Sequence, residues 1–78
     1  MLYLVARNFA GVKNGRASSP LETFAEANRL AIKTTAEKAC VTSVFAIEAR
    51  NSLREEFIVS YAPGPSGKAI VLAVGEQS

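Results

Sequence analysis

The stretch TFAEANRLAIKTTAEKA, residues 23–39, decides the fold, because no other segment of the 78 residues carries a helical repeat. Thr23 followed by Glu26 spells a capping box, in which each side chain satisfies the other's free backbone N–H, so the helix is expected to begin at Phe24. A rival start is written at Ser19, Pro20 and Glu22, an N-cap, an N1 proline and an N3 carboxylate. The apolar stripe begins only at Phe24, which favours Thr23. At 100° per residue Phe24, Ala27, Ala31 and Ile32 fall toward one side and Glu26, Arg29, Lys33 and Glu37 toward the other. Lys38 drifts toward the buried side, so the regular helix is expected to end by about residue 37.

On either side of this helix the pattern changes to strands. Residues 2–10, LYLVARNFA, suit a pleated surface, and Asn14-Gly15 is a strong signal for a type I′ turn, giving a first hairpin with strands near 2–12 and 16–22. Pro20 removes a ladder donor, which makes the second of these strands short and an edge. Downstream, VTSVFAIEA (41–49), LREEFIVSYA (53–62) and AIVLAV (69–74) read as three strands, linked by Arg50-Asn51-Ser52 and by PGPSGK. The expectation is a single small α+β domain over 1–78, ββαβββ, with one helix packed on a curved antiparallel sheet.

Phe45, Ile47, Phe57, Val59, Ile70 and Leu72 offer a side for the helix, while Val44, Ala46, Ile58, Val71 and Ala73 make the opposite side apolar too. One helix covers one side. Either another chain, as in a homodimer, or curling of the N-terminal strands is expected to cover the other. A core of this size supplies only roughly 3 to 5 kcal/mol of net stability, which also argues for help from a partner.

Composition narrows the chemistry. With no histidine, no aspartate and one cysteine, there is neither an internal disulfide nor a credible metal-ligand set, and no cofactor is expected. The N-terminus lacks a signal-peptide pattern and no run approaches a membrane span, so a soluble protein in a reducing, cytoplasmic compartment is expected. The adjacent Glu55-Glu56 point to opposite faces of a strand and make no acid–base pair. Cys40, at a helix C-terminus whose dipole disfavours a thiolate, reads as a small core residue. GPSGKA (64–69) has two residues between its glycines and no Ser or Thr after the lysine, unlike a phosphate-binding loop, and reads as a hairpin loop. A non-enzymatic binding protein is the expectation.

Binding would be carried by charge. Arg7, Lys13 and Arg16 precede the first acidic residue, Glu22, and Arg29 and Lys33 share the exposed side of the helix. Glu26 and Glu37 stand close enough in sequence to neutralise the helix pair locally. A net charge of +2 and a pI near 9.0 favour an anionic partner. Tyr3, Phe9 and Tyr61 are the candidates for base stacking.

The order of elements, with the run Ala27-Asn28-Arg29-Leu30-Ala31-Ile32-Lys33, then Cys40 and Val44-Phe45-Ala46-Ile47, resembles the small phage-encoded anti-CRISPR proteins that inhibit type I surveillance complexes. Among these is a type I-F inhibitor built as one helix on an antiparallel sheet. The resemblance implies a stoichiometric inhibitor in the bacterial host cytoplasm. It would bind protein subunits of the complex and prevent target DNA from hybridising, with Arg29, Lys33 and Lys38 as the matching contact residues. A small basic nucleic-acid-binding accessory protein of a phage or mobile element is the competing expectation, with Arg7, Lys13 and Arg16 on phosphates.

Overall fold

A computed structural model describes residues 1–7, 20–49 and 54–75. Its elements are β1 (Leu2–Arg7), α1 (Phe24–Lys38), β2 (Thr42–Ile47), β3 (Glu56–Pro63) and β4 (Ala69–Val74). The four strands form one antiparallel sheet in the order β1-β2-β3-β4, with α1 on one side. This is the expected α+β architecture of one helix on an antiparallel sheet. The Asn14-Gly15 turn lies outside the described residues. Of the second hairpin strand only 20–22 is described, and there Leu21 forms a single bridge to Tyr3, with backbone bonds of 2.9 and 2.8 Å.

The helix starts where Thr23 predicts. Thr23 is extended, its Oγ1 accepts from the Glu26 N–H at 3.2 Å, and its hydroxyl donates to Glu26 Oε1 at 3.0 Å. Glu26 therefore turns its carboxylate to the threonine hydroxyl as well as offering its N–H, a variant of the expected reciprocal box. The helix runs to Lys38 and stops at Ala39, which adopts the left-handed conformation (φ 51°, ψ 47°) that glycine usually supplies at this point.

The buried stripe of α1 is Ala27, Ala31 and Thr35, each four residues from the next. Phe24 and Ile32, expected inside, are 38 % and 39 % exposed and flank that stripe. Small residues along the contact line let the helix approach the sheet closely, which leaves no room there for the larger pair. Phe24 instead packs edge-on against Tyr3, with ring centroids 5.9 Å apart. Lys38, though on the buried side by periodicity, is exposed because the helix ends there.

The sheet presents the side opposite to the expected one. The core joins Ala27 and Ala31 of α1 to Val5, Val44, Val59 and Tyr61. Alternation then places Thr42, Val44 and Ala46 toward the helix and Ser43, Phe45 and Ile47 away from it. Of the six residues expected under the helix, Val59 alone belongs to this core. Phe45 and Phe57 pack on each other instead, edge-on at 5.8 Å. Alternation tells which residues share a side but not which side receives the helix. The close approach of Ala27 and Ala31 favours compact valines over phenylalanines. A register shift adds to this: Val44 pairs with Val59 but Phe45 with Phe57, so Ile58 is an extra residue that packs at the margin of the helix-side core. A second shift leaves Leu72 extra in β4. Such bulges twist and bend the strands that carry them, in keeping with the expected curvature.

The far side is expected to be covered by another chain or by curling of the N-terminal strands. Ser43, Ile47 and Ser60 are buried within one copy, so the far side of the central strands is not an open apolar surface. The exposed apolar surface is β4, where Ile70, Val71, Leu72 and Val74 are 49–65 % exposed. Between β3 and β4, Gly64, Pro65, Ser66 and Gly67 make a turn closed by Gly67 N–H to Gly64 O (3.1 Å), and Gly64 N–H meets Lys68 O (2.8 Å). Gly67, at φ 84°, supplies the left-handed residue that this three-residue hairpin loop requires. The segment is the hairpin loop read from the sequence.

Candidate binding surface

The best-defined part of the predicted basic surface is on α1. Arg29 and Lys33, one turn apart and both exposed, line an open depression with Ala25, Asn28 and Ile32. Its floor is held in place from below. The Tyr61 hydroxyl of β3 donates to Asn28 Oδ1, which ties this flank of the helix to the sheet while Asn28 stays half-buried. Ile32, assigned to the core from periodicity, therefore stands between two cations as an exposed apolar group.

Among the described residues, Glu26 and Glu37 form no ion pair with Arg29 or Lys33. The Glu26 carboxylate accepts from Thr23, and among the described residues neither Arg29 nor Lys33 makes an ion pair. A guanidinium without an ion pair among the described residues, an ammonium and a four-carbon apolar group within two helical turns can bind a carboxylate or phosphate next to an apolar side chain.

The remaining predicted residues are placed unevenly. Arg7 ends β1 and is exposed. It lies opposite Thr42, whose hydroxyl meets Thr35, so Arg7 stands at the end of the molecule where α1 finishes. Lys38, in the last turn, is at that same end, where a cation also interacts favourably with the helix C-terminus. Lys13 and Arg16 lie outside the described residues. The structure thus brings Arg29 together with Lys33 on α1, while Arg7 of β1 and Lys38 stand toward the C-terminal end of that helix.

The stacking candidates are largely occupied. Tyr3 packs on Phe24, Tyr61 is buried with its hydroxyl engaged, and Phe9 lies outside the described residues. Val44 and Ile58, on the sheet side considered from sequence as an open contact surface, lie under or beside the helix, and Val44 is fully buried. Cys40 is half-buried, not enclosed. Among the described residues no group of three metal-ligating side chains gathers, and no helix is long and apolar enough to cross a membrane.

No protein family, curated protein or solved structure matches this chain. Its function must be argued from these surfaces. Sequence reasoning missed Ile32 and the exposure of β4. The second had a signal, since AIVLAV is apolar at both parities and so cannot present a polar side to water.

Proposed function

We propose that this chain is a non-enzymatic binding protein, an anti-CRISPR inhibitor of phage origin that seats the Arg29–Ile32–Lys33 side of α1 on a type I CRISPR surveillance complex and blocks target DNA recognition. The observation that carries the binding surface is the pair of exposed cations, without an ion pair among the described residues, beside an exposed isoleucine on a helix anchored by Tyr61 and Asn28. The choice of partner rests on the resemblance in element order and in the run Ala27–Lys33. A partly apolar, partly cationic contact suits a protein patch better than a bare phosphate backbone, and among the described residues both tyrosines are engaged within the fold, not offered as a stacking platform. Arg7 and Lys38 stand toward the C-terminal end of the helix, Lys38 on the side opposite Arg29, and Lys13 and Arg16 precede the helix in sequence.

The test is target-DNA binding by a purified type I complex with and without this protein. Inhibition at near-stoichiometric ratios, lost in an Arg29→Glu/Lys33→Glu variant of unchanged melting temperature, is the expected result. A gel shift of DNA by the isolated protein, without inhibition of the complex, would replace this reading with direct nucleic-acid binding.

A further inference from the structure

We propose that the helix side of the sheet, where α1 leaves β4 uncovered, seats an acidic amphipathic helix of a partner protein, its apolar side on β4 and its carboxylates on Arg29 and Lys33. This docking rests on the reading of the chain as a protein-binding protein and names the chemistry of the segment it takes.

The space comes from the sheet. Neighbouring strands stand about 4.8 Å apart, so four of them span about 14 Å between the outer axes, whereas one helix with its side chains is about 10 to 12 Å across. α1 occupies one part of that width. Its core partners are Val5 of β1, Val44 of β2 and Val59 and Tyr61 of β3, and among the described residues β4 adds only Ala69, at the margin. Register shows what β4 presents beyond that margin. Val71 pairs with Tyr61 and Val74 with Val59, and paired residues share a side, so both valines face the helix side of the sheet. The extra residue Leu72 is what brings positions three apart to one side. Both remain 58 % and 65 % exposed, because α1 does not cover them.

The wall of this open strip is the flank of α1 that Tyr61 holds. Tyr61 donates to Asn28 and is also the register neighbour of Val71, so the flank carrying Asn28 and Ile32 is the one turned toward β4. Going round the helix from Asn28 at 100° per residue, Ile32 comes next, then Arg29 and Lys33 on the outward side. Floor and wall are apolar and the rim is cationic. Asn28 gives its Oδ1 to Tyr61, so what it can offer a ligand is its amide N–H, a further donor.

Charge complementarity selects the occupant. Neither the residues lining the α1 depression nor Ala69–Val74 include a carboxylate, and Arg29 and Lys33 make no ion pair among the described residues. A segment filling the strip must bring apolar side chains for Val71, Val74 and Ile32 and acidic ones for the rim. On an amphipathic helix these two sets stand on adjacent sides. A pairing strand fits less well, since the bulge at Leu72 breaks the regular edge of β4. A phosphate backbone would satisfy the cations and leave the valines exposed.

Titration of the full isotope-labelled chain, followed by amide NMR, tests this. The probe is a synthetic peptide of about 18 residues, with leucines at helical spacing and glutamates between them. One control replaces the glutamates by lysines, and another scrambles the order so that the leucines no longer share a side. The glutamate peptide is expected to bind at least about tenfold more tightly than either control and to shift the amide signals of Ile32, Val71 and Val74. Arg29→Glu/Lys33→Glu should reverse the preference toward the lysine peptide, and Val71→Glu/Val74→Glu should abolish binding of the glutamate peptide. Should a variant fail to fold, the three peptides on the wild type decide alone. No binding, equal affinity for ordered and scrambled peptides, or signals moving only elsewhere overturns the docking. Duplex DNA or a second copy of this chain shifting those three signals in place of the peptide overturns it as well, and names the other occupant. Peptide binding without inhibition of a type I complex sinks the inhibitor reading alone, and inhibition untouched by Val71→Glu/Val74→Glu sinks this docking alone.

Discussion

Thr35 of α1 donates its hydroxyl hydrogen to Thr42 of β2 across 2.6 Å, in a site where both side chains are completely buried. The direction follows from stoichiometry. Thr42 spends its single hydroxyl hydrogen on the Ala31 carbonyl at 3.0 Å, so Thr35 must be the donor between the two. Helix and central strand are thereby joined by a polar relay inside an otherwise apolar contact. Replacing one partner leaves a buried group unmatched, whereas replacing both leaves two well-packed methyl groups. Thr35→Val and Thr42→Val should each cost about 1 to 2 kcal/mol, and the double variant clearly less than their sum. A double-mutant cycle from denaturant unfolding measures this, and strict additivity would count against the relay.

Ala39 closes α1 in the left-handed region, where an L-residue other than glycine loses about 1 kcal/mol to contact of its Cβ with the backbone. Glycine removes that contact, at some cost in unfolded-chain entropy. Ala39→Gly should therefore raise stability by about 0.5 kcal/mol, seen as a higher denaturant midpoint at constant slope. The same change at Ala27 or Ala31 should destabilise by about 1 kcal/mol.

Two glycines near β4 should rank oppositely to what their conformations alone suggest. Gly67 is in the left-handed region, but a Cβ there would meet nothing within 4 Å. Gly75 has no such conformation, yet a Cβ there would run into the Phe57 carbonyl oxygen, a backbone atom that cannot move aside. Gly67→Ala should cost about 1 kcal/mol. Gly75→Ala should cost more and disturb the end of the β3–β4 pairing, visible as faster amide exchange at position 75, whose N–H bonds Ile58 O in the wild type.

Charge reversal at Arg29 and Lys33 should leave melting unchanged, since neither makes an ion pair among the described residues. Its effect belongs on association. Exposed charge contacts are screened by salt, so the deficit of the double Glu variant relative to wild type should be largest at low ionic strength and shrink as salt rises. Ile32→Ala should weaken binding at all salt concentrations alike, because an apolar contact carries no long-range field. Competition binding at two ionic strengths distinguishes the two contributions.

Thr23→Ala should remove the N-cap acceptor of the Glu26 N–H and cost about 1 kcal/mol. Circular dichroism and thermal melting would show it, and an unaffected helix would move the effective cap away from Thr23.

What the sequence determined by itself is what depends on neighbours a few residues away. Thr23 with Glu26 marks the start of α1, the Pro65-Ser66-Gly67 loop turns β3 into β4, AIVLAV coincides with β4 residue for residue, and Arg29 and Lys33 share an outward side because four residues complete about one turn. What only the tertiary structure decided depends on distances between segments remote in the chain. The pleat divides the side chains of β2 into two sets but is indifferent to which set the helix covers. That choice fell to Val44 and Thr42, because Ala27, Ala31 and Thr35 bring the helix close enough to exclude Phe45 and to bond a buried hydroxyl. The same close approach pushes Ile32 out beside the cations, and the order β1-β2-β3-β4 leaves the most apolar strand at an edge, neither of which a local spacing rule can encode.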